Sequence, residues 1–311
     1  CFLVGYAYAR PNCTAHGGAD SNGFGIYLVD VWGNKELIYR DPILSCGFPM
    51  PLRPRSRPPA LPPATDPEQD EAVCYVTDMY DGMPEVPRGT VKYLRISQHI
   101  GWPFDAERGA MPYIPNSAWQ AKLAFPSWSP VRVIGTVPVA EDGSAHFTVP
   151  ADTAVYFQAL DENRMEIRRM RTMVSLQSGE VRGCRGCHAS EAKAPVFADK
   201  VPLALRREPD RPEPPPWGAE KMLGYEWLVQ PILDRHCVEC HGADEPAGEI
   251  DLSATRAEDG LLQSYRTIMG YRPGEEKRAE PLVSCSNRFS NAAETRPKQF
   301  GSHRSRLIGV L

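Results

Sequence analysis

No apolar run in this sequence approaches the roughly 20 residues that carry a helix across a bilayer. The longest, Cys1 to Ala9, reaches about half that length and reads as a strand. Charge of one sign is missing too. Lys and Arg total 35 against 39 Asp and Glu, a net charge of −4, and no basic stripe tracks a nucleic-acid backbone. No secretory leader is visible. The glycine-rich stretch 17–25 has no lysine and no helix pattern behind it, which argues against a phosphate loop. Asp20 and Asn22 within it read as a polar turn rather than calcium ligands. Histidine is scarce, at seven of 311 residues.

That scarcity gives weight to where two histidines stand. The chain contains Cys184-Arg-Gly-Cys187-His188 and Cys237-Val-Glu-Cys240-His241. Both are C-x-x-C-H, the attachment signal of a c-type haem. Two thiols at this spacing can each form a thioether to one vinyl group of a single porphyrin, and the adjacent imidazole then reaches the iron. With seven histidines in 311, both C-x-x-C pairs would be followed by His by chance roughly once in 2000. Zinc is the competing ligand for such pairs, but ribbon pairs stand about 15–20 residues apart. Here the separation is much greater and crosses a proline-rich stretch. A thioredoxin-like dithiol expects a βαβ context that the pattern does not supply. The expectation is two covalently bound c-type haems.

Subtracting four haem thiols from nine cysteines leaves Cys1, Cys13, Cys46, Cys74 and Cys285, an odd number. In an oxidising compartment a disulfide among the first four competes with buried thiols. The chain opens without Met inside an apolar strand and stops at Arg306–Leu311 without a polar tail. It is expected to be an internal fragment of a longer protein. Haem attachment to this motif takes place outside the cytoplasm, so the expected location is an exported, periplasmic or equivalent compartment.

The pattern is multidomain, β followed by α. Residues 1–63 are β-rich, with Trp32-Gly-Asn34 as a hairpin turn, and end in a proline-dense strap over 51–63. Residues 64–196 continue mainly as strand. Thr90–Ile96, Val131–Val137, Ser144–Val149 and Ala154–Leu160 are candidates, with Asp142-Gly143 as a hairpin cue and a second hairpin around Asp161–Asn163. The first motif is expected in a loop just past this sheet. Residues 197–217 read as a semi-rigid proline-rich linker. Residues 218–311 turn helical. Met222 to His241 carries Leu228, Ile232 and Leu233 at helical spacing, and Pro231 begins its second half.

Taken in order, Val137–Asp152, Val155–Glu162, Met170-Arg171 and Gly179–His188 resemble the middle domain of hydrazine synthase alpha subunits. Leu228–His241 is similar to the cytochrome c domain that follows it there. The resemblance implies that residues 1–63 are the last part of a β-propeller-like domain. It also implies a β-rich middle domain over 64–196 with one haem, and a cytochrome c-like domain over 218–311 with a second. In the synthases the first iron is accessible and is where small nitrogen compounds react, while the second has two histidine ligands and passes electrons. Carried over by motif, Cys184 and Cys187 attach the first haem beside His188, and Cys237, Cys240 and His241 hold the second. One feature departs from the family. The synthases place a tyrosine shortly beyond the first motif, and Ala189 to Phe197 contains none. His188 is then the natural axial ligand, and the case for hydrazine formation itself weakens.

The sixth iron ligands divide relay from catalysis. His99 and His146 are the unassigned candidates for a pocket at the first haem, each weighed against ordinary strand or loop packing. His303 is a candidate distal ligand for the second haem, in competition with a residue beyond Leu311. Arg182 and Arg185 are candidate partners for haem propionates, weighed against solvated arginines. Met165, Met170 and Met173 read as core. The leading expectation is a hydrazine-synthase-alpha-like dihaem oxidoreductase acting on a small compound, with sister subunits or redox proteins as partners. The alternative is an electron-transfer cytochrome without a catalytic site, docking a partner through its β domains. A zinc-stabilised binding module is a third.

Overall fold

The computed structural model describes residues 1–7, 22–54, 56–60, 62–100, 131–170, 172–187, 201–258, 260–270, 280–284 and 296–310. Cys13, Asp20, His188, Cys285 and the segments 101–130 and 189–197 lie outside them. The chain divides into two compact units, Cys1–Pro62 and Pro63–Leu311.

The first unit holds an antiparallel three-stranded sheet, β1 (Phe2–Tyr6), β2 (Gly25–Val29) and β3 (Lys35–Tyr39), in that order. The turn expected at Trp32-Gly-Asn34 is present. The Asp30 carboxylate accepts from the backbone N–H groups of Trp32 and Asn34, both at 2.9 Å, and Gly33 takes φ 90°. Asparagine and glycine tolerate that left-handed corner, and the side-chain bonds replace backbone ones across it. β3 is exposed along its whole length.

The second unit is built on two sheets. β4 (Glu71–Val76) lies between β10 (Val181–Cys184), which it pairs in parallel, and β7 (Ala145–Pro150), which it pairs antiparallel. The other sheet is antiparallel in the order β6 (Val131–Pro138), β5 (Tyr93–His99), β8 (Val155–Leu160), β9 (Glu166–Arg169). Period-2 burial explains how they meet. Ala72, Cys74 and Val76 of β4 and Ala145, Phe147 and Val149 of β7 are buried while their neighbours are not. They share one core with Leu94, Ile96, Val137 and Phe157 from the second sheet. Phe147 meets Phe157 edge-on at 5.4 Å.

Two sequence expectations change here. Asp142-Gly143 does make a turn: Ala140 N–H donates to Ser144 at 2.8 Å, and Gly143 takes φ 83°. It does not make a hairpin, because β6 pairs with β5 and β7 with β4. A tight turn cue reports a local reversal, whereas strand partners are chosen by which faces must be buried. The proline-rich stretch 201–217 is also bonded to both sheets. Thr148 donates to Asp210 at 3.0 Å, and Thr136 and Glu213 exchange backbone bonds at 2.9 Å each. Gly135 permits this close approach, since a Cβ there would lie 2.7 Å from both Glu213 O and Pro212 Cβ.

Beyond it the described residues hold four short helices: α1 (Tyr225–Leu228), α2 (Gln230–His236), α3 (Gln263–Ile268) and α4 (Arg306–Val310). The helix expected from Met222 to His241 is thus shorter and divided at Val229, with Pro231 in the first turn of α2, where its missing N–H costs nothing. Leu233, Leu252 and Ile268 form a small second core, flanked by Tyr225, Val229, Cys237, Leu282 and Leu307. No helix among the described residues is long and apolar enough to cross a membrane.

Candidate functional site

The second motif sits where α2 ends. Cys237 N–H donates to Leu233 O at 2.8 Å and His241 N–H to Cys237 O at 2.9 Å, so helical bonding continues through the motif. Cys237 touches the small core while Cys240 is exposed. His241 is half-buried, and its Nδ1 lies 3.1 Å from Ile250 O. A carbonyl only accepts, so Nδ1 carries the proton and Nε2 of the neutral ring keeps its lone pair. The loop returning over His241 is secured by Leu252 N–H donating to His241 O at 2.8 Å. Two thiols on one turn beside an imidazole oriented by a backbone carbonyl fit a c-type haem.

The first motif begins inside a strand rather than in a loop, because Cys184 is the last residue of β10. Thr77 N–H donates to Cys184 O at 2.9 Å. Asp78 N–H and the Thr77 hydroxyl donate to Arg185 O at 3.0 and 2.8 Å. Gly186 then lies so close to the 78–81 turn that a Cβ would stand 2.3 Å from Asp81 O. Arg185 pairs with Asp81, and Arg182 with Glu180. Both arginines expected near propionates are therefore held by local carboxylates. Cys184 and Cys187 both pack against the two-sheet core. The pair of thiols suits thioether formation, while His188 lies outside the described residues.

A third thiol joins this site without any motif to announce it. Cys74, on β4, is buried in the core against which Cys184 packs. Interaction with Cys74 pulls Cys184 down to about 7, and interaction with Cys184, together with burial, pushes Cys74 up; burial raises Cys187 to about 11. Cys74, the more deeply buried of the pair, is the one that keeps its proton. No spacing rule links positions 74 and 184; the contact exists because β10 pairs with β4. Cys1, Cys46, Cys74, Cys184, Cys187, Cys237 and Cys240 are all free thiols.

The candidate pocket histidines lie on strands β7 and β5. His146 alternates with the buried Ala145 and Phe147, so it lies on the outer face of its sheet, its Nδ1 3.1 Å from Arg207 O. His99 ends β5 rather than lying in a loop, and its ring is 4.8 Å from that of Tyr156. Tyr156 alternates with the core residues Val155 and Phe157, again on the outer face. Burial lowers the His99 pKa. His303 lies beside Asp161, 15% exposed, with Nε2 3.2 Å from Asp161 Oδ2. That approach lacks hydrogen-bond alignment. Asp161 itself accepts from the N–H groups of Asn163 and Met165, forming the β8–β9 turn. Among the described residues no three His, Cys, Asp or Glu side chains converge on a metal site. The two C-x-x-C pairs therefore do not assemble the four ligands of a zinc ribbon there.

Residues 89–189 match the family model described as the hydrazine synthase alpha subunit middle domain. Over that domain the chain is hydrazine-synthase-alpha-like. The matched residues run from before β5 through β10 and contain the first motif. The solved structure of Kuenenia stuttgartiensis hydrazine synthase is similar in fold, with a TM-score of 0.54 at 17% identity over 84% of this chain. The chain spans 44% of the length of that matched chain. No curated protein matches. The likeness to that structure is one of fold, and the family model matches residues 89–189.

Proposed function

We propose that this hydrazine-synthase-alpha-like chain is the dihaem segment of an exported, multidomain c-type cytochrome. Cys237 and Cys240 would attach one haem with His241 as proximal ligand, and Cys184 and Cys187 the other with His188. The observation that carries this is His241, whose Nδ1 is bonded to Ile250 O at 3.1 Å one residue after a helical turn bearing two thiols. When bound, such haems supply one-electron chemistry, with potentials set by axial ligands and burial. This chain's residues would hold them: the Ile250 carbonyl orients His241, and Thr77, Asp78 and Asp81 fix the loop of the first motif.

The leading function is redox chemistry on a small compound at the first haem, with the second relaying electrons. Small nitrogen compounds are the class suggested by the family. Residues 1–63 would belong to a β-propeller-like domain and 218–311 to a cytochrome c-like one; the antiparallel meander β1–β3 and the short helices around Cys237 support those assignments. Sister subunits are the expected partners, because the matched family is named for an alpha subunit. The absence of tyrosine from Ala189 to Phe197 favours a second function, electron transfer without catalysis.

Maturation in a haem-attaching periplasm, followed by intact mass and a pyridine haemochrome assay, tests the assignment. Two covalent haems are expected, and none would overturn it. A Cys237→Ser, Cys240→Ser double variant then isolates the first haem. A Soret shift of its reduced form with carbon monoxide supports the enzyme. A spectrum indifferent to carbon monoxide supports the relay.

A further inference from the structure

We propose that Gln230 is a positioning residue for His241: it holds the 250–252 segment whose carbonyl orients the imidazole of the second motif. The inference rests on reading Cys237, Cys240 and His241 as a haem site, and it can be tested without haem. Glutamine is mostly an exposed residue, and a buried amide must find partners. Gln230 is 3% exposed and opens α2, at the opposite end from Cys237. Its amide nitrogen donates to Asp234 Oδ1 at 2.8 Å and to Leu252 O at 3.1 Å. Its carbonyl oxygen accepts from the hydroxyl of the fully buried Ser264 on α3. Both N–H groups and the oxygen are thus committed, which fixes the way the amide faces.

The bond to Leu252 reaches the site. Residues 250–252 are held from two sides. On one, His241 Nδ1 lies 3.1 Å from Ile250 O, and Leu252 N–H donates to His241 O at 2.8 Å. On the other, Gln230 donates to Leu252 O. The first residue of α2 and the histidine beyond its last turn therefore grip the same three residues. Without Gln230 the buried Leu252 carbonyl loses its partner, and the segment can turn and carry Ile250 O away from the ring. Second-shell bonds of this kind fix the tautomer and the orientation of a ligating histidine. Asp234 provides an internal contrast. It is exposed, and the Gln230 N–H it accepts stays within α2.

The test is nitrogen-15 NMR of the full haem-free chain at about pH 8, where an ordinary imidazole is neutral. The His241 ring is expected to carry its proton on Nδ1 in the wild type. Gln230→Met keeps the side chain's length and removes all three bonds. Gln230→Glu keeps the acceptor for Ser264 and removes both donors, so it decides the matter if the Met variant does not fold. Each should lose the Nδ1–H form to a mixture of tautomers, while Asp234→Ala retains it. In haem-loaded protein carrying Cys184→Ser and Cys187→Ser, Gln230→Met should also raise the midpoint potential of the remaining haem, because an imidazole without its N–H···O bond is a weaker donor to iron. A folded Gln230 variant that keeps the Nδ1–H form, or an Asp234→Ala variant that loses it equally, would overturn the proposal. Failure of haem to attach at Cys237 and Cys240 would overturn the haem assignment and leave the NMR result standing.

Discussion

Gly186 stands between the two cysteines of the first motif, and replacing it with alanine probes how that motif is held. An ideal Cβ there would lie 2.3 Å from Asp81 O, 2.7 Å from Asp78 O and 2.9 Å from Asp81 Cβ. Two of these atoms are backbone, so relief requires the loop or the 78–81 turn to move. Such movement stretches three hydrogen bonds: Thr77 N–H to Cys184 O, Asp78 N–H to Arg185 O, and the Thr77 hydroxyl to Arg185 O. At about 1 kcal/mol each, the expected loss is about 2–3 kcal/mol. For a unit the size of Pro63–Leu311 that corresponds to a fall in Tm of roughly 5–10 °C. Differential scanning calorimetry of the full chain reads it directly. Gly309→Ala is the control, since nothing lies within 4 Å of its Cβ position and alanine favours the helix. If Gly186→Ala melts together with the Gly309→Ala control, the motif loop is not clamped by the 78–81 turn.

Acid should loosen the second unit at Asp142. Burial alone would raise this carboxylate, but hydrogen bonds from Leu203 N–H at 2.8 Å and from the Ser144 hydroxyl and N–H lower its pKa overall. A depressed folded pKa gives stability that is complete above the ordinary carboxylate range and is lost as pH falls through the folded value. Asp142→Ala should cost about 1–2 kcal/mol near neutrality and flatten the acid limb of a urea-midpoint against pH plot; an unchanged limb would count against this account. Leu233→Ala removes the central side chain of the small helical core and should cost about 2–4 kcal/mol, read as early proteolysis within 218–311; wild-type resistance there would contradict it. Cys74→Ala removes the thiol that lowers Cys184, so the midpoint of Cys184 alkylation against pH should rise from about 7 towards an ordinary thiol value. No rise would mean the two side chains do not interact in solution.

The two C-x-x-C-H motifs, the β-to-α order of the second unit and most strand positions were legible in the sequence. Each depends on residues close together in the chain: a cysteine pair and its histidine, alternating apolar residues, or Pro231 at a helix start. Only the tertiary structure decided which strands became partners. It sent β6 and β7 to different sheets and laid 201–217 along both. It also aimed Nδ1 of His241 at the carbonyl of Ile250 and brought Cys74 to Cys184. These contacts join positions from nine to 110 residues apart, and no local preference encodes them. They follow from which faces the chain must bury and which polar groups burial then leaves to find partners.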